Sequence, residues 1–230
     1  MDGPSRARPL AGSPDPEVDG LAALLAARAG DVRGLRFLDA GCGGGTLARA
    51  LEAAGARVAA LDPDEAAILG VPVPGRLRGD AGRLPFRDAA FDAAACSLVL
   101  HYIQEPGRCL SELRRVLRPG GRLLLADRIL GDEPAGAALQ TRFERLRNPR
   151  LARLLNSRDL EAALRDSGFT PDGRSETTLR RSLASWTSRS ADPARLLAEL
   201  SRLESRDLGG IRFDDGTVAL RVLVLSAIRR

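Results

Sequence analysis

The sequence contains no lysine, so all 35 of its basic residues are arginine. Histidine, tryptophan and tyrosine occur once each, and there are only three cysteines in 230 residues. Each scarcity excludes something. One histidine and the cysteines Cys42, Cys96 and Cys109, none in a Cys-x-x-Cys pair, do not make a Cys/His zinc site, and no metal is expected. An odd cysteine count without framework spacing fits reduced thiols and a cytoplasmic location. No apolar run approaches the ~20 residues of a membrane span, and the N-terminus lacks the apolar stretch of a signal peptide.

What is present is ordinary for a folded chain. Hydrophobic residues make up 44% and charged residues 28%, enough for one sizeable core. The net charge is +5 and the isoelectric point about 10.2, but the arginines are scattered and interleaved with 30 acidic residues. That pattern fits GC-rich coding and forms no basic block, so nucleic acid is not expected as a partner. Residues 1–16, with Pro4, Pro9, Pro14 and Pro16, are expected to be a disordered tail, and residues 17–230 a single domain.

From residue 35 onward, short apolar runs alternate with helical spacing. The stretches 35–40, 57–62, 76–80, 91–100 and 122–128 read as strands. A helix over 107–118 places Leu110, Leu113 and Leu117 on one face and stops at Pro119-Gly120-Gly121. This alternation predicts an α/β fold with a mostly parallel sheet and helices on both faces. Residues 133–156 form an Arg-rich helical insertion, Asn156 or Ser157 caps a helix ending at Gly168, and 182–206 is another polar helical stretch. A long strand over 216–228 closes the chain.

The informative segment is Asp39-Ala40-Gly41-Cys42-Gly43-Gly44-Gly45-Thr46, where the first strand meets the first helix of the alternation. Glycines there permit a tight turn and let a ligand approach the helix N-terminus. Two patterns overlap. Gly43-x-Gly45-x-x-Ala48 fits the dinucleotide fingerprint and so an NAD(P)-dependent oxidoreductase. Asp39-x-Gly41-x-Gly43-x-Gly45 fits a methyl-donor loop instead. An acidic residue before the turn suits a ligand carrying an ammonium and a sulfonium, and would repel a pyrophosphate, so the second reading is favoured. Asp62 ends the second strand 21 residues after Gly41, where a carboxylate can accept both ribose hydroxyls of an adenosyl group. Asp64 instead caps the short helix after Pro63. The oxidoreductase reading also lacks a Tyr-x-x-x-Lys pair, since there is no lysine.

FLDAGCGGGTLARAL, ALDPDEAAI, GDAGRLPFRDAAFDAAACSLVLHYI and ELRRVLRPGGRLLLAD follow one another in the order of a known family. Over about residues 35–128 the chain resembles the class I S-adenosylmethionine-dependent methyltransferases, in particular the small-molecule branch that includes the ubiquinone/menaquinone C-methyltransferases. The resemblance implies a Rossmann-like, mostly parallel seven-stranded sheet with an antiparallel C-terminal strand. It implies S-adenosylmethionine as cofactor and a small-molecule substrate. Asp39 with Gly41, Gly43 and Gly45 would hold the methionine half, Asp62 the ribose, Asp80 and Ala81 the adenine, and Ser97 would line the transfer pocket. A non-catalytic S-adenosylmethionine-binding module is the remaining alternative. The segment from Asp62 to Asp80 is about one helical turn shorter than is usual in such enzymes and contains Pro72, Pro74 and Gly75.

Methyl transfer is an in-line displacement that depends on positioning, and an acidic acceptor needs a base. His101, just after the fourth strand, is the candidate catalytic residue, with a structural role as the alternative. No [ND]PP[YFW] stretch follows that strand and no Pro-Cys pair occurs at Cys96 or Cys109, which counts against adenine and pyrimidine methylation. Carbon and oxygen acceptors both stay open. Arg142, Arg145, Arg147, Arg150 and Arg153 lie in the insertion, where a substrate cover belongs. They read first as a solvated face, and second as a receiver for an anionic substrate. The segment 182–206 with Trp186 is lid, dimer surface or plain surface helix, so monomer and homodimer both stay open.

Overall fold

A computed structural model of the chain describes residues 16–230. The tail expected over 1–16 lies outside the described residues except for Pro16, which opens helix α1 (Pro16–Ala29). The alternation then unrolls as β1 (Arg36–Ala40), α2 (Thr46–Ala53), β2 (Arg57–Asp62), α3 (Glu65–Leu69), β3 (Gly75–Arg78) and β4 (Phe91–Ser97). It continues with α4 (Pro106–Val116), β5 (Leu117–Arg128), α5 (Pro134–Arg147), α6 (Ser157–Asp166) and β6 (Phe169–Ser182). The chain closes with α7 (Leu183–Thr187), α8 (Pro193–Leu200), β7 (Ile211–Asp214) and β8 (Thr217–Arg229).

The strands form one sheet in the order β3-β2-β1-β4-β5-β8-β6, with β7 paired to β8 off that path. β1 through β5 are mutually parallel, and β8 runs antiparallel between β5 and β6. This is the expected Rossmann-like order. The short β7 adds an eighth strand among the described residues, held as a hairpin with β8 across Asp215-Gly216.

Both faces are covered, which is why the inner strands read as nearly continuous apolar runs. Along β1, Phe37 enters one core with Leu25, Leu51 and Val222, while Leu38 and Ala40 enter the other with Leu110, Leu113 and Phe169. The period of two distributes the residues between the layers. In α2, Leu47, Ala48 and Leu51 share the buried face. Helix ends follow local chemistry: Asp64 accepts from the amides of Ala66 and Ala67, and Asn156 from that of Asp159. The Arg-rich insertion is helical only to Arg147, and Asn148–Asn156 runs as irregular chain.

Between β1 and β4 the strand order reverses direction. The crevice beyond the carboxyl ends of these two strands is where such a sheet takes a ligand. The glycine loop after β1 and the turn after β4 both lie there.

Candidate active site

The glycine loop is built from left-handed turns. Gly41, Gly43 and Gly45 have φ of 80°, 51° and 78°, values that other residues adopt only with strain. A Cβ on Gly41 would lie 2.2 Å from Val99 Cγ2, and one on Gly45 would lie 2.8 Å from Val71 Cγ1. Above Gly43 and Gly44, by contrast, a Cβ would meet nothing within 4 Å. The loop is thus packed from behind and open in front. Asp62 fixes it, accepting the Gly43 amide at 2.8 Å on one oxygen and the Asp64 amide at 2.9 Å on the other.

Asp39 lies behind this loop, only 2% exposed, and its Oδ2 has no hydrogen-bond partner. Burial raises its pKa to about 7, against the opposing effect of the Ala48 amide and with help from the nearby Asp62 charge. An orphaned buried carboxylate beside an open glycine cradle suits a cationic ligand, and the residues present fit the methionine end of S-adenosylmethionine. Asp80 is exposed; one of its oxygens accepts the Gly82 amide at 2.8 Å, and Ala81 is buried beside it. Ser97 is half-buried at the end of β4.

After Ser97 the chain makes a strained turn, with Leu98 at φ 59°. Val99 packs behind Gly41, and the 3-10 turn Leu100–Tyr102 carries His101 into the protein at 4% exposure. His101 Nδ1 is hydrogen-bonded to Asp127 Oδ1, and the His101 amide donates to Asp127 Oδ2 at 3.0 Å. Asp127 Oδ1 also accepts the Arg128 amide at 2.7 Å. With these amides donated to the Asp127 carboxylate, Nδ1 carries the proton and Nε2 the lone pair. Nε2 has no hydrogen-bond partner among the described residues. Burial lowers the His101 pKa below its usual 6.5, outweighing the attraction of Asp127.

Residues 38–125 match the profile of a family described as a methyltransferase domain. Among its relatives, the 27-O-demethylrifamycin SV methyltransferase of Amycolatopsis mediterranei is 31% identical over 189 residues, 74% of this chain and 64% of that protein. The demethylmenaquinone methyltransferase of Clavibacter sepedonicus is 41% identical over 107 residues, 42% of each chain. The chain therefore spans less than two thirds of the length of these relatives. The solved YcgJ protein of Bacillus subtilis shares the fold, with a TM-score of 0.81, 23% identity and coverage of 91% of this chain and 97% of that one.

The fold brings Asp39, Gly41, Gly43, Gly45, Asp62 and Ser97 to one crevice through the ends of β1, β2 and β4, with Asp80 and Ala81 following β3. The residue that sequence reasoning missed is Asp127, the orienting partner of the only histidine. Its one signal was an acidic residue closing the apolar run Leu123-Leu124-Leu125-Ala126.

The Arg-rich insertion corrects another expectation. Arg142, Arg145, Arg150 and Arg153 are solvent-exposed as expected of a solvated face, but Arg147 is buried at 4%. Glu144, 1% exposed, accepts from Arg147 Nε at 3.0 Å and from Arg128 Nη1 at 2.5 Å. The Arg147 guanidinium lies 5.4 Å from the Trp186 ring centre. Burial pushes the Glu144 pKa up, but the two guanidinium charges outweigh it and hold the carboxyl at about 2.

Proposed function

We propose that this chain transfers the methyl group of S-adenosylmethionine to an oxygen of a small-molecule acceptor, with His101 as general base and Asp127 as its positioning partner. The observation that carries the reading is the buried His101–Asp127 pair, set after β4 beside the glycine loop. A carbon acceptor activated by an adjacent hydroxyl would use the same base.

The donor is held by this chain's own groups. Asp39 would face its ammonium, the glycine loop, open above Gly43 and Gly44, its methionine end, Asp62 its ribose, and Asp80 with Ala81 its adenine. Bound there, S-adenosylmethionine supplies a methyl group already activated by a sulfonium. His101 takes the acceptor's hydroxyl proton at Nε2 as the oxygen acquires the methyl group, and Asp127 stabilises the imidazolium through Nδ1–H. We read residues 17–230 as one domain in which the α5 insertion and the α7–α8 segment form the acceptor's cover. Their support is the shared cluster of Phe143, Trp186 and Phe213, with ring centres 5.4 and 6.1 Å apart.

Calorimetry with S-adenosylmethionine, S-adenosylhomocysteine, NAD and NADP tests the donor, and turnover across a panel of phenols and hydroxy acids tests the base. The first two ligands are expected to bind and the dinucleotides not, with Asp62→Ala weakening both. His101→Gln is expected to lower kcat by about 10²–10⁴ while S-adenosylhomocysteine affinity stays within about twofold. In the wild type, kcat is expected to rise with pH through an inflection below 6.5. Binding of a dinucleotide alone, or full turnover by His101→Gln, would overturn the reading.

A further inference from the structure

The chain between β3 and β4 forms neither helix nor extended strand, yet it carries Asp80 and Ala81. Helix α4 holds this loop through three side chains. Arg108, in the first turn of α4, donates from Nε to the Gly82 carbonyl at 2.9 Å. Glu112, one turn on, accepts the Leu84 amide at 2.8 Å. Arg115, a further turn on, donates to the carbonyls of Leu84 at 3.0 Å and Phe86 at 2.8 Å, and is itself paired with Glu112. Positions 108, 112 and 115 share one face of the helix, and they meet the loop in chain order.

The bond from Arg108 falls on the turn that orients Asp80. The Gly82 amide donates to Asp80 Oδ1 at 2.8 Å, and the Arg83 amide donates to the Asp80 carbonyl at 3.0 Å. Gly82 is thus held at both ends, its amide by Asp80 and its carbonyl by Arg108. Gly82 is also buried, where a carbonyl without a partner is costly. With Oδ1 committed to Gly82, the second oxygen of the exposed Asp80 makes no hydrogen bond among the described residues. That oxygen is the one left for a ligand donor. Arg108 is exposed, has no ion pair among the described residues, and makes its one side-chain hydrogen bond to this turn.

We propose that Arg108 is a positioning residue for the donor's adenine: by holding Gly82 it fixes the Asp80 carboxylate where Oδ2 can accept the exocyclic amine. The proposal rests on the S-adenosylmethionine reading with Asp80 as the amine's acceptor. Arg108 touches neither donor nor methyl acceptor and acts through Asp80, so its removal matters only while Asp80 can accept. Without Arg108 the turn from Asp80 to Arg83 loses its direct tie to α4. Oδ2 then samples positions from which the amine is poorly aligned, and a hydrogen bond weakens steeply with misalignment.

The test is calorimetry on the full chain with S-adenosylhomocysteine and S-inosylhomocysteine, in which an oxygen replaces the exocyclic amine. Wild type is expected to bind the adenosyl compound about tenfold more tightly than the inosyl one. Arg108→Met keeps an apolar stem and removes the donor. It is expected to weaken S-adenosylhomocysteine about fivefold and to shrink the preference to about twofold, with a melting temperature within about 3 °C of wild type. Asp80→Asn, which leaves an NH₂ in place of Oδ2, is expected to abolish the preference, and adding Arg108→Met to it should weaken binding no further. In the ligand-free chain, the amides of residues 82–86 should exchange with solvent faster in Arg108→Met than in wild type. A full preference in Arg108→Met, strictly additive losses in the double variant, or no preference in wild type would overturn the positioning role and leave the donor reading standing. Failure of S-adenosylhomocysteine to bind the wild type would remove the donor reading and this role together.

Discussion

Asp39 is enclosed by the sheet with one carboxylate oxygen unbonded, an arrangement that destabilises the ligand-free chain and prepares it for a cation. Its pKa of about 7, against an ordinary 3.8, means the folded state keeps a proton that the unfolded state has released. Stability contributed by that proton is complete below about pH 4 and is lost as pH rises through about 7. Asp39→Asn removes the buried charge at nearly constant shape. Urea unfolding should show the variant more stable than wild type at pH 8 by on the order of 4 kcal/mol, with a smaller difference at pH 5 and little near pH 4. The same change should weaken S-adenosylhomocysteine at least tenfold by calorimetry, because the ammonium loses its counter-charge. A variant that binds as well as wild type would show that Asp39 serves only the fold. The sequence made Asp39 visible through its position before Gly41. It gave no sign of His101's partner, because Asp127 lies 26 residues further along the chain and meets the imidazole only across adjacent strands.

At the level of elements, the glycine loop and the turn after β4 behave as one unit. Gly41 has room for hydrogen alone, since Val99 fills the place of its Cβ. Gly41→Ala should cost about 1–3 kcal/mol of stability through backbone strain and the collision together, as thermal unfolding would measure. It should also displace the turn that carries His101. Adding Val99→Ala relieves the collision but not the positive φ, so the double variant should recover part of the lost stability and little of the donor affinity. Strict additivity of the two changes would mean that the loop and the turn are uncoupled. Elements with a strong local signal were readable from sequence: the inner strands, the Asp64 and Asn156 caps, and the long closing strand. β6 was foreseen only through the seven-strand count that the resemblance implies, and β7 was not foreseen. β6 is an edge strand whose alternate residues face water, so its Thr, Glu and Arg side chains carry no apolar rhythm. Its hydrogen bonds to β8 make it a strand.

Across the whole molecule, Arg128 on β5, Glu144 and Arg147 on α5, and Trp186 on α7 tie the sheet to its helical cover. Three charges share this dry region, and removing the single negative one takes the ion-pair partner from both arginines. Glu144→Gln should therefore cost about 3–5 kcal/mol at pH 7, measured by urea unfolding. The native Glu144 pKa of about 2 lies below the ordinary 4.5, so its contribution is complete above about pH 4.5 and is lost as pH falls through 2. The variant's stability should then be flatter than wild type's across that acid range. A loss under ~1 kcal/mol would place the group among ordinary surface pairs. The sequence by itself determined the alternation of strands and helices through β5, the glycine loop with its acidic neighbours, and the end of the sheet at which they lie. Those features follow from local periodicity, glycine freedom and strand ends, which neighbouring residues specify. Only the tertiary structure decided that Asp127 meets His101 and that Arg147 is buried while Arg153 is not. Burial and partnership are set by elements distant in sequence, and a charged residue reads the same in the chain whether water or another charge surrounds it.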